Sequence, residues 1–267
     1  MLAYQSEDTV NRITTQCWGA SDCRFIDIDD TQAFIADGGS YVLVSFRGTE
    51  SSHLQDILAD PRFALEPPVL KFPANGATRS LTFAAGKAHG GFLAALACAV
   101  AEIDDVVRTF MTTAGPNGNP NTLWITGHSL GAALATLYAA RLLYATSNGK
   151  LPGVGGVQGL YTFGSPRVGD PQFVAALATP LAPVTNRFVN HEDIVTRVAP
   201  RAMGYDHVGS VMYLDQNGVL DRSMVGWVRF LNTIVDAMND FKAAARTSVK
   251  DHSMELYVRK LENLVNV

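Results

Sequence analysis

A pentapeptide near the middle of the chain has the residue types and spacing that nucleophilic acyl transfer requires. Gly127-His128-Ser129-Leu130-Gly131 follows the β-prone run Leu123–Thr126 and precedes an alanine-rich run that begins at Ala132. A strand that turns sharply into a helix holds such a serine on a strained backbone above the carboxyl edge of a sheet, and the flanking glycines leave room for close packing. The sequence therefore predicts a nucleophile elbow at Ser129. The alternative interpretation is a glycine-rich helix start that Ser129 merely caps.

A serine hydroxyl becomes a good nucleophile only when a general base takes its proton and a third group orients that base. In strand-to-helix elbows of this type, the carboxylate and then the histidine follow the serine along the chain. Both partners should therefore lie after Ser129. Three histidines qualify, together with several acids: His191, His207 and His252, and Asp170, Glu192, Asp193, Asp206, Asp215 and Asp221.

Asp193 and His252 are the strongest candidates for these two roles. Asp193 lies three residues beyond the predicted strand Arg187–Asn190, at the sheet edge where the serine should emerge. His252 lies in a polar segment directly before the helical pattern Met254–Leu264, and a loop is where a reachable imidazole belongs. We therefore expect Ser129, Asp193 and His252 to meet.

The remaining candidates fit other roles better. Asp170 suits the first turn of the helix that follows it, and His207 leads into a predicted strand, where a hydrogen-bonded structural role is expected. Glu192 should point away from Asp193 in a turn, and His191 is too close to Asp193 in sequence to stand between that residue and the serine.

Acyl transfer also needs hydrogen-bond donors for the developing oxyanion, each worth about 3–4 kcal/mol. One expected donor is the backbone N–H of Leu130, the residue after the nucleophile. The second should come from a loop after an earlier strand, and Ser45–Thr49 fits because Gly48 allows a sharp turn and Thr49 offers both an N–H and a hydroxyl. The alternative is an ordinary turn at a strand end.

The elements that must position these residues alternate between short β-rich runs and helical runs. A mainly parallel sheet with helices on both faces follows from this alternation, after an antiparallel opening around the turn 37–40. The predicted strands are Phe25–Ile28, Ala33–Ala36, Tyr41–Phe46, Leu123–Thr126, Val157–Phe163, Arg187–Asn190 and Val208–Leu214, and the predicted helices include Phe92–Met111 and Leu130–Tyr144.

Two segments depart from this alternation. Residues 50–87 are rich in proline and are expected to form a long loop with a short helix at Ser52–Leu58, and their apolar residues suggest a lid over the site. The second segment, Met224–Ala244, has apolar residues at helical spacing and predicts an amphipathic helix that packs on the core, the alternative being contact with lipid. The lid candidates are Leu54, Ile57, Leu58 and Phe63.

The composition bounds the remaining possibilities. The 267 residues are 47% hydrophobic with a formal net charge of -4, which favours one α/β domain over residues 1–267 and disfavours nucleic-acid binding. No apolar run is long enough to span a bilayer, and no leader is visible at the N-terminus, so we expect a leaderless chain or one whose leader has been removed. The three cysteines leave open whether Cys17 and Cys23 form a disulfide, and none has metal-ligand spacing.

Taken together, these motifs resemble the fungal-type, or class 3, lipase family of the α/β-hydrolase superfamily. The resemblance implies an α/β-hydrolase fold, catalysis by Ser129, Asp193 and His252, and an oxyanion hole built by Thr49 and Leu130, with neither metal nor cofactor. The blocks that carry it are Phe46–Thr49, Ala88–Phe92, Ile125–Ala135, Tyr161–Asp170, Asn190–Val195, and Asp251–Ser253 followed by Tyr257.

The resemblance implies hydrolysis of carboxylic esters through an acyl-enzyme. An apolar lid favours a triacylglycerol lipase acting at an oil-water interface. An esterase for small or aromatic esters, such as feruloyl esters, and a phospholipase use the same machinery and remain alternatives. A hydrolase-fold binding module without activity is disfavoured because Ser129, Asp193 and His252 are all present.

Overall fold

A central sheet is the scaffold of the computed structural model, which describes residues 2–29, 31–48, 64–74, 77–112, 121–149, 153–199, 201–222 and 250–265. The strands in chain order are β1 (Asp22–Ile28), β2 (Thr31–Asp37), β3 (Tyr41–Phe46), β4 (Leu65–Glu66), β5 (Val69–Ala74), β6 (Ala77–Thr82), β7 (Ala88–His89), β8 (Thr122–His128), β9 (Val157–Phe163), β10 (Thr185–Asn190), β11 (Ser210–Leu214) and β12 (Leu220–Asp221). The α-helices of the described residues are α1 (Glu7–Arg12), α2 (Gly90–Thr112), α3 (Leu130–Ser147), α4 (Pro171–Ala176) and α5 (Met254–Val265).

Within the described residues the main sheet has eight strands in the order β1-β2-β3-β8-β9-β10-β11-β12. Neighbours from β3 to β11 run parallel, whereas β1, β2 and β12 are antiparallel to their neighbours. The mainly parallel sheet and its antiparallel opening confirm the predicted fold class. Because parallel strands end at the same edge, the residues that follow β3, β8, β9 and β10 are brought together there.

The core lies between this sheet and the two long helices α2 and α3. Val44 of β3 and Ile125 of β8 are fully buried against this layer, as the inward positions of alternating strands should be. Helix α3 is buried almost all round, and its alanines allow it to pack closely on β8 and β9. The strand and helix that flank Ser129 are therefore among the most deeply packed parts of the molecule.

Helices also cover the opposite face of the sheet. Phe34 and Ala36 of β2 point away from α2 and α3 and pack with Val10 of α1. Near the other edge, Tyr257 of α5 is buried with its ring edge-on to Phe163 of β9. Helices thus lie on both faces, as predicted, and α5 contacts the carboxyl ends of β9 and β10.

The prediction of an irregular loop over residues 50–87 is wrong for its described part. Strands β5 and β6 pair antiparallel from Val69–Thr82 to Ala74–Ala77, and β4 pairs with β7. Leu70, one of the apolar residues that suggested a lid, is fully buried with Leu81 and Phe83 in the core against α2. The prolines of this segment argued against strands in the sequence. The hairpin forms nevertheless, because a proline is tolerated in a two-stranded ribbon that leaves one edge unpaired.

Several predictions lie outside the described residues. They concern the short helix Ser52–Leu58, the lid candidates Leu54, Ile57, Leu58 and Phe63, and the amphipathic helix Met224–Ala244. All three cysteines are described, and Cys17 and Cys23 do not form a disulfide: Cys17 and Cys98 are exposed, and Cys23 is buried. No helix among the described residues is both long and apolar enough to cross a membrane.

Candidate active site

Ser129 lies at a sharp turn between β8 and α3. Its backbone has φ 58° and ψ −127°, a conformation that non-glycine residues adopt only under strain and mainly at functional sites. Its side chain makes no capping hydrogen bond, which excludes the interpretation of Ser129 as a simple helix cap. The structure thus forms the elbow that the sequence predicts.

The glycines of the pentapeptide are required by packing. A Cβ on Gly131 would lie 2.5 Å from the carbonyl oxygen of Phe46 and 2.6 Å from that of Arg47, at the end of β3. A Cβ on Gly127 would collide with the carbonyl of Gly131 itself. The elbow therefore packs closely against the end of β3, and a Cβ at Gly48 would in turn lie 2.9 Å from the Cβ of Ser129.

Asp193 follows β10 by three residues and is fully buried. Its carboxylate accepts hydrogen bonds from the Val195 N–H at 2.9 Å and the Tyr257 hydroxyl at 2.7 Å. Burial by itself would raise the pKa of Asp193, but the charge and hydrogen bond of His252 and the bond from Tyr257 outweigh it. The pKa therefore lies below its ordinary value, and Asp193 is ionised at neutral pH.

His252 lies in the turn before α5, and its Nδ1 faces both carboxylate oxygens of Asp193 at 3.0 and 2.9 Å. The carboxylate therefore fixes Nδ1 as the protonated nitrogen and leaves the lone pair on Nε2. Nε2 and the Oγ of Ser129 are both buried, and neither has a hydrogen-bond partner among the described residues. Buried polar atoms without partners are rare in proteins as a whole, and a catalytic site is one place where they are expected.

A set of polar contacts attaches the segment that carries His252 to the end of β10. The Asn190 side chain donates to the carbonyl of Asp251 at 2.8 Å, and the carboxylate of Asp251 contacts His191 Nδ1 at 2.9 Å. Lys260 Nζ donates to the Asn190 Oδ1 at 2.5 Å and to the Asp215 carbonyl at 2.6 Å. These contacts determine where the His252 backbone lies relative to Asp193.

His128 lies beneath the imidazole of His252. The two rings are stacked with centroids 4.5 Å apart, and His128 Nε2 lies 2.8 Å from the carbonyl oxygen of His252. On its other side, Nδ1 lies 2.6 Å from the hydroxyl of Tyr4. Burial, and then the neighbouring charge of His252, lower the pKa of His128 to about 3, so this ring is neutral.

The predicted oxyanion donors are described only in part. Leu130 is the first residue of α3, where a backbone N–H has no acceptor within the helix and remains available to a ligand. Thr49 lies outside the described residues, although a Cβ at its neighbour Gly48 would lie 2.9 Å from the Cβ of Ser129. The roles of both residues remain predictions.

The other sequence candidates lie in different environments. Asp170 caps α4 by accepting the N–H of Phe173 at 2.8 Å, as its position suggested, and Asp215 accepts two backbone N–H groups in a turn. His207 Nε2 bonds to the Thr196 carbonyl at 2.9 Å, and burial, with nearby arginines, lowers its pKa well below the ordinary value. Asp206 contacts Arg201, and no group of three potential metal ligands occurs among the described residues.

Sequence reasoning assigned no role in the site to four of its residues, although three of them lie in the motifs quoted above. Tyr257 bonds to Asp193, and His128 with Tyr4 supports His252. Gly164, at φ +58°, leaves the space that Asp193 and His252 occupy, since a Cβ there would lie 2.6 Å from Asp193 Oδ2. The helical position of Tyr257, five residues after His252, was an available signal, whereas nothing local to Tyr4 indicates its role.

A serine on a strand-to-helix elbow and a buried histidine–aspartate pair, with the serine and the aspartate both following strands of a mainly parallel sheet, define an α/β-hydrolase. The sequence agrees with this class, because a family model described as Lipase (class 3) matches residues 43–203. The chain belongs to the class 3 lipase family.

Relatives support this assignment. A lipase of Rhizomucor miehei is 32% identical over 192 residues, covering 71% of this chain and 47% of its own length. A secreted mono- and diacylglycerol lipase 1 of Fusarium solani is 37% identical over 135 residues, covering 50% of this chain and 36% of its own length. The solved structure of Rhizomucor miehei triacylglyceride lipase has a TM-score of 0.54 and 28% identity, covering 77% of this chain and 71% of that one. The two sequence matches thus span less than half the length of either relative.

Proposed function

We propose that the chain hydrolyses carboxylic esters of lipids as a triacylglycerol lipase, with Ser129 as nucleophile, His252 as general base and Asp193 as the group that orients the base. The observation that carries the proposal is the strained, uncapped Ser129 together with the His252–Asp193 pair. The names of the relatives, a triacylglyceride lipase and a mono- and diacylglycerol lipase, support acylglycerols as the substrate class.

The proposed reaction has two halves. Ser129 Oγ attacks the ester carbonyl carbon while His252 Nε2 takes the hydroxyl proton, and the oxyanion accepts hydrogen bonds from the Leu130 N–H and from Thr49. When the carbon–oxygen bond to the alcohol breaks, His252 returns the proton to the departing alkoxide. A water then attacks the acyl-serine, giving its proton to His252, and the carboxylic acid leaves as Ser129 regains its proton.

Asp193 supports both halves without taking a proton. Its lowered pKa keeps it ionised, so it stabilises the imidazolium that forms on His252 in each half. The neutral ring of His128 places no second positive charge beside that imidazolium. The electrostatics of the described residues therefore favour proton transfer to His252.

Ser129→Ala tests the proposal directly. Hydrolysis by the variant should fall by about 10⁴- to 10⁶-fold with the fold intact, because the acyl-enzyme can no longer form. Ser147→Ala, at the far, exposed end of the same helix, is the matched control and should retain full activity. A Ser129→Ala variant that keeps a tenth of the activity would refute the assignment.

The substrate class is tested by a series of esters from acetate to long acyl chains, offered as mono-, di- and triacylglycerols, with Ser129→Ala as the blank. Preference for long-chain triacylglycerol supports the proposal, whereas confinement to small or aromatic esters, or to phospholipids, would move the chain to those classes. The lid within residues 50–87 stays a prediction. It requires activity to rise when a partly soluble triglyceride passes its solubility limit and an emulsion forms.

A further inference from the structure

The ring of His128 joins the N-terminal turn of the chain to the proposed general base. Its Nε2 lies 2.8 Å from the carbonyl oxygen of His252, and its Nδ1 lies 2.6 Å from the hydroxyl of Tyr4. A carbonyl oxygen can only accept, so Nε2 must carry the hydrogen. A neutral imidazole then has its lone pair on Nδ1, and the hydroxyl of Tyr4 must be the donor to it. The two contacts together admit one tautomer of His128.

The surroundings of Tyr4 keep its hydroxyl in this position. Gly48 leaves the space in which the Tyr4 hydroxyl and the His128 carbonyl lie side by side, and the Arg47 guanidinium is 5.5 Å from the centre of the Tyr4 ring. A Cβ at Gly48 would also lie 2.9 Å from the Cβ of Ser129. The Tyr4 hydroxyl thus lies beside Gly48, two residues after the end of β3, and beside His128, the residue before the nucleophile.

The tautomer of His128 matters because of what each form presents to His252. With the hydrogen on Nε2, His128 holds the His252 carbonyl and lies flat beneath its imidazole, with an angle of 26° between the rings. With the hydrogen on Nδ1, the Nε2 lone pair would face the carbonyl oxygen, and the two would repel. The backbone of His252 would then shift away from Asp193 and Ser129.

We propose that Tyr4 is a positioning residue for the reaction, because its hydroxyl donates to Nδ1 of His128, anchors that ring in the Nε2–H tautomer that the His252 carbonyl requires, and thereby holds the backbone and ring of His252 in place. The proposal rests on the proposed function, since the role is defined by what His252 does. Tyr4 acts through His128 and does not touch the reacting atoms.

Tyr4→Phe in the full chain removes the hydroxyl and keeps the ring that Arg47 contacts. The loss of one neutral hydrogen bond should lower kcat about three- to tenfold, while KM stays within about twofold because no substrate contact is removed. The matched control is Tyr41→Phe, at the opposite end of β3 from the elbow, which should leave both constants unchanged. Unchanged kcat in Tyr4→Phe would overturn the proposal.

A double-variant cycle separates positioning through His128 from a general effect of Tyr4 on packing. In His128→Leu the side chain at this position has no atom that can accept from the Tyr4 hydroxyl or donate to the His252 carbonyl. Tyr4→Phe should therefore have no further effect on kcat in the His128→Leu background. Effects that simply multiply would show that Tyr4 acts independently of His128 and would contradict the proposal.

A spectroscopic measurement tests the tautomer without relying on activity or on the His128 variant. In protein labelled with ¹⁵N in histidine, the His128 shifts should show a protonated Nε2 and an unprotonated Nδ1, and Tyr4→Phe should move the Nδ1 shift because that nitrogen loses its hydrogen-bond donor. A protonated Nδ1 in the native chain would overturn the inference. This readout stays valid if the chain proves inactive on every ester, so the two proposals can fail separately.

Discussion

The nucleophile and the base of the proposed site are held in place by different kinds of interaction. Ser129 lies between β8 and α3, where Ile125, Leu134 and the alanines of the helix are fully buried and the glycines touch neighbouring backbone. His252 precedes α5, whose only fully buried side chain in the described range is Tyr257. Polar contacts from Asn190, His191 and Lys260 attach that segment.

This difference indicates what each region contributes. Apolar packing places the elbow when the chain folds. Substitutions there should therefore lower the free energy of unfolding more than they lower turnover. Hydrogen bonds place His252 with little buried apolar surface, and each is worth only about 1 kcal/mol net. Changes around His252 should therefore reduce turnover with little loss of fold, which makes the comparison testable.

Asp193→Asn should produce the largest effect, and it tests the base side. The amide keeps the shape of the carboxylate but offers His252 a neutral partner and permits the wrong tautomer, so kcat should fall by about 10⁴-fold. The midpoint of thermal unfolding should change little. Steady-state kinetics on a soluble ester and calorimetry measure the two effects.

Asp170→Asn is the matched control, because asparagine caps a helix about as well as aspartate and Asp170 only caps α4. It should retain both activity and stability. If Asp193→Asn were to unfold the protein, or if the two variants were to lose activity equally, the distinction between a packed nucleophile and a hydrogen-bonded base would be wrong.

Gly131→Ala tests the nucleophile side. In contrast to Asp193→Asn, it should reduce stability more than turnover. Alanine is the better helix former by about 1 kcal/mol, but its Cβ would collide with the carbonyls of Phe46 and Arg47, which belong to a buried strand end. We expect a net loss of about 3 kcal/mol in the free energy of unfolding. Denaturant titration measures this loss.

Gly156→Ala is the control for Gly131→Ala, since a Cβ at Gly156 would meet nothing within 4 Å. Its free energy of unfolding should stay within about 0.5 kcal/mol of the native value. Equal stabilities for the two variants would show that the elbow is not wedged against β3.

The same difference explains how much could be predicted from the sequence. The elbow is local: a β-prone run, two glycines and an alanine-rich helix are adjacent in the chain, and the structure forms them as expected. The pairing of Asp193 with His252 was found through chain order and strand ends, because parallel topology brings the ends of strands together. Strands β3 and β9 even have the predicted bounds.

What the sequence did not show depends on contacts between distant residues. The hairpin β5–β6 is defined by the burial of Leu70 and Leu81 against α2, which no local pattern encodes. Tyr4 lies 124 residues from His128, and Tyr257 lies 64 residues from Asp193. Each is a common residue in an unremarkable context, and only the folded arrangement reveals its partner.

Lowering the pH provides a milder test, because His128 and Asp193 should affect the free energy of unfolding in different pH ranges. His128, on the elbow side, has its pKa lowered to about 3 by burial, whereas in the unfolded chain it titrates near its ordinary value of about 6.5. Between these values the unfolded state binds a proton that the folded state does not. The free energy of unfolding should therefore fall by about 1.4 kcal/mol for each pH unit below about 6.5 on account of this histidine.

Asp193, on the base side, acts in a different window. Its pKa is lowered, so its contribution is present above its unfolded value of about 3.9 and is lost only as the pH falls further, through the folded value. Denaturant titrations of the native chain and of His128→Gln between pH 7 and pH 4.5 therefore isolate the histidine. The His128→Gln line should be shallower by about 1.4 kcal/mol per pH unit, since glutamine does not titrate. Equal slopes for the native chain and His128→Gln would mean that His128 takes up its proton as readily in the folded state as in the unfolded state. The ring beneath His252 would then not be neutral over this pH range.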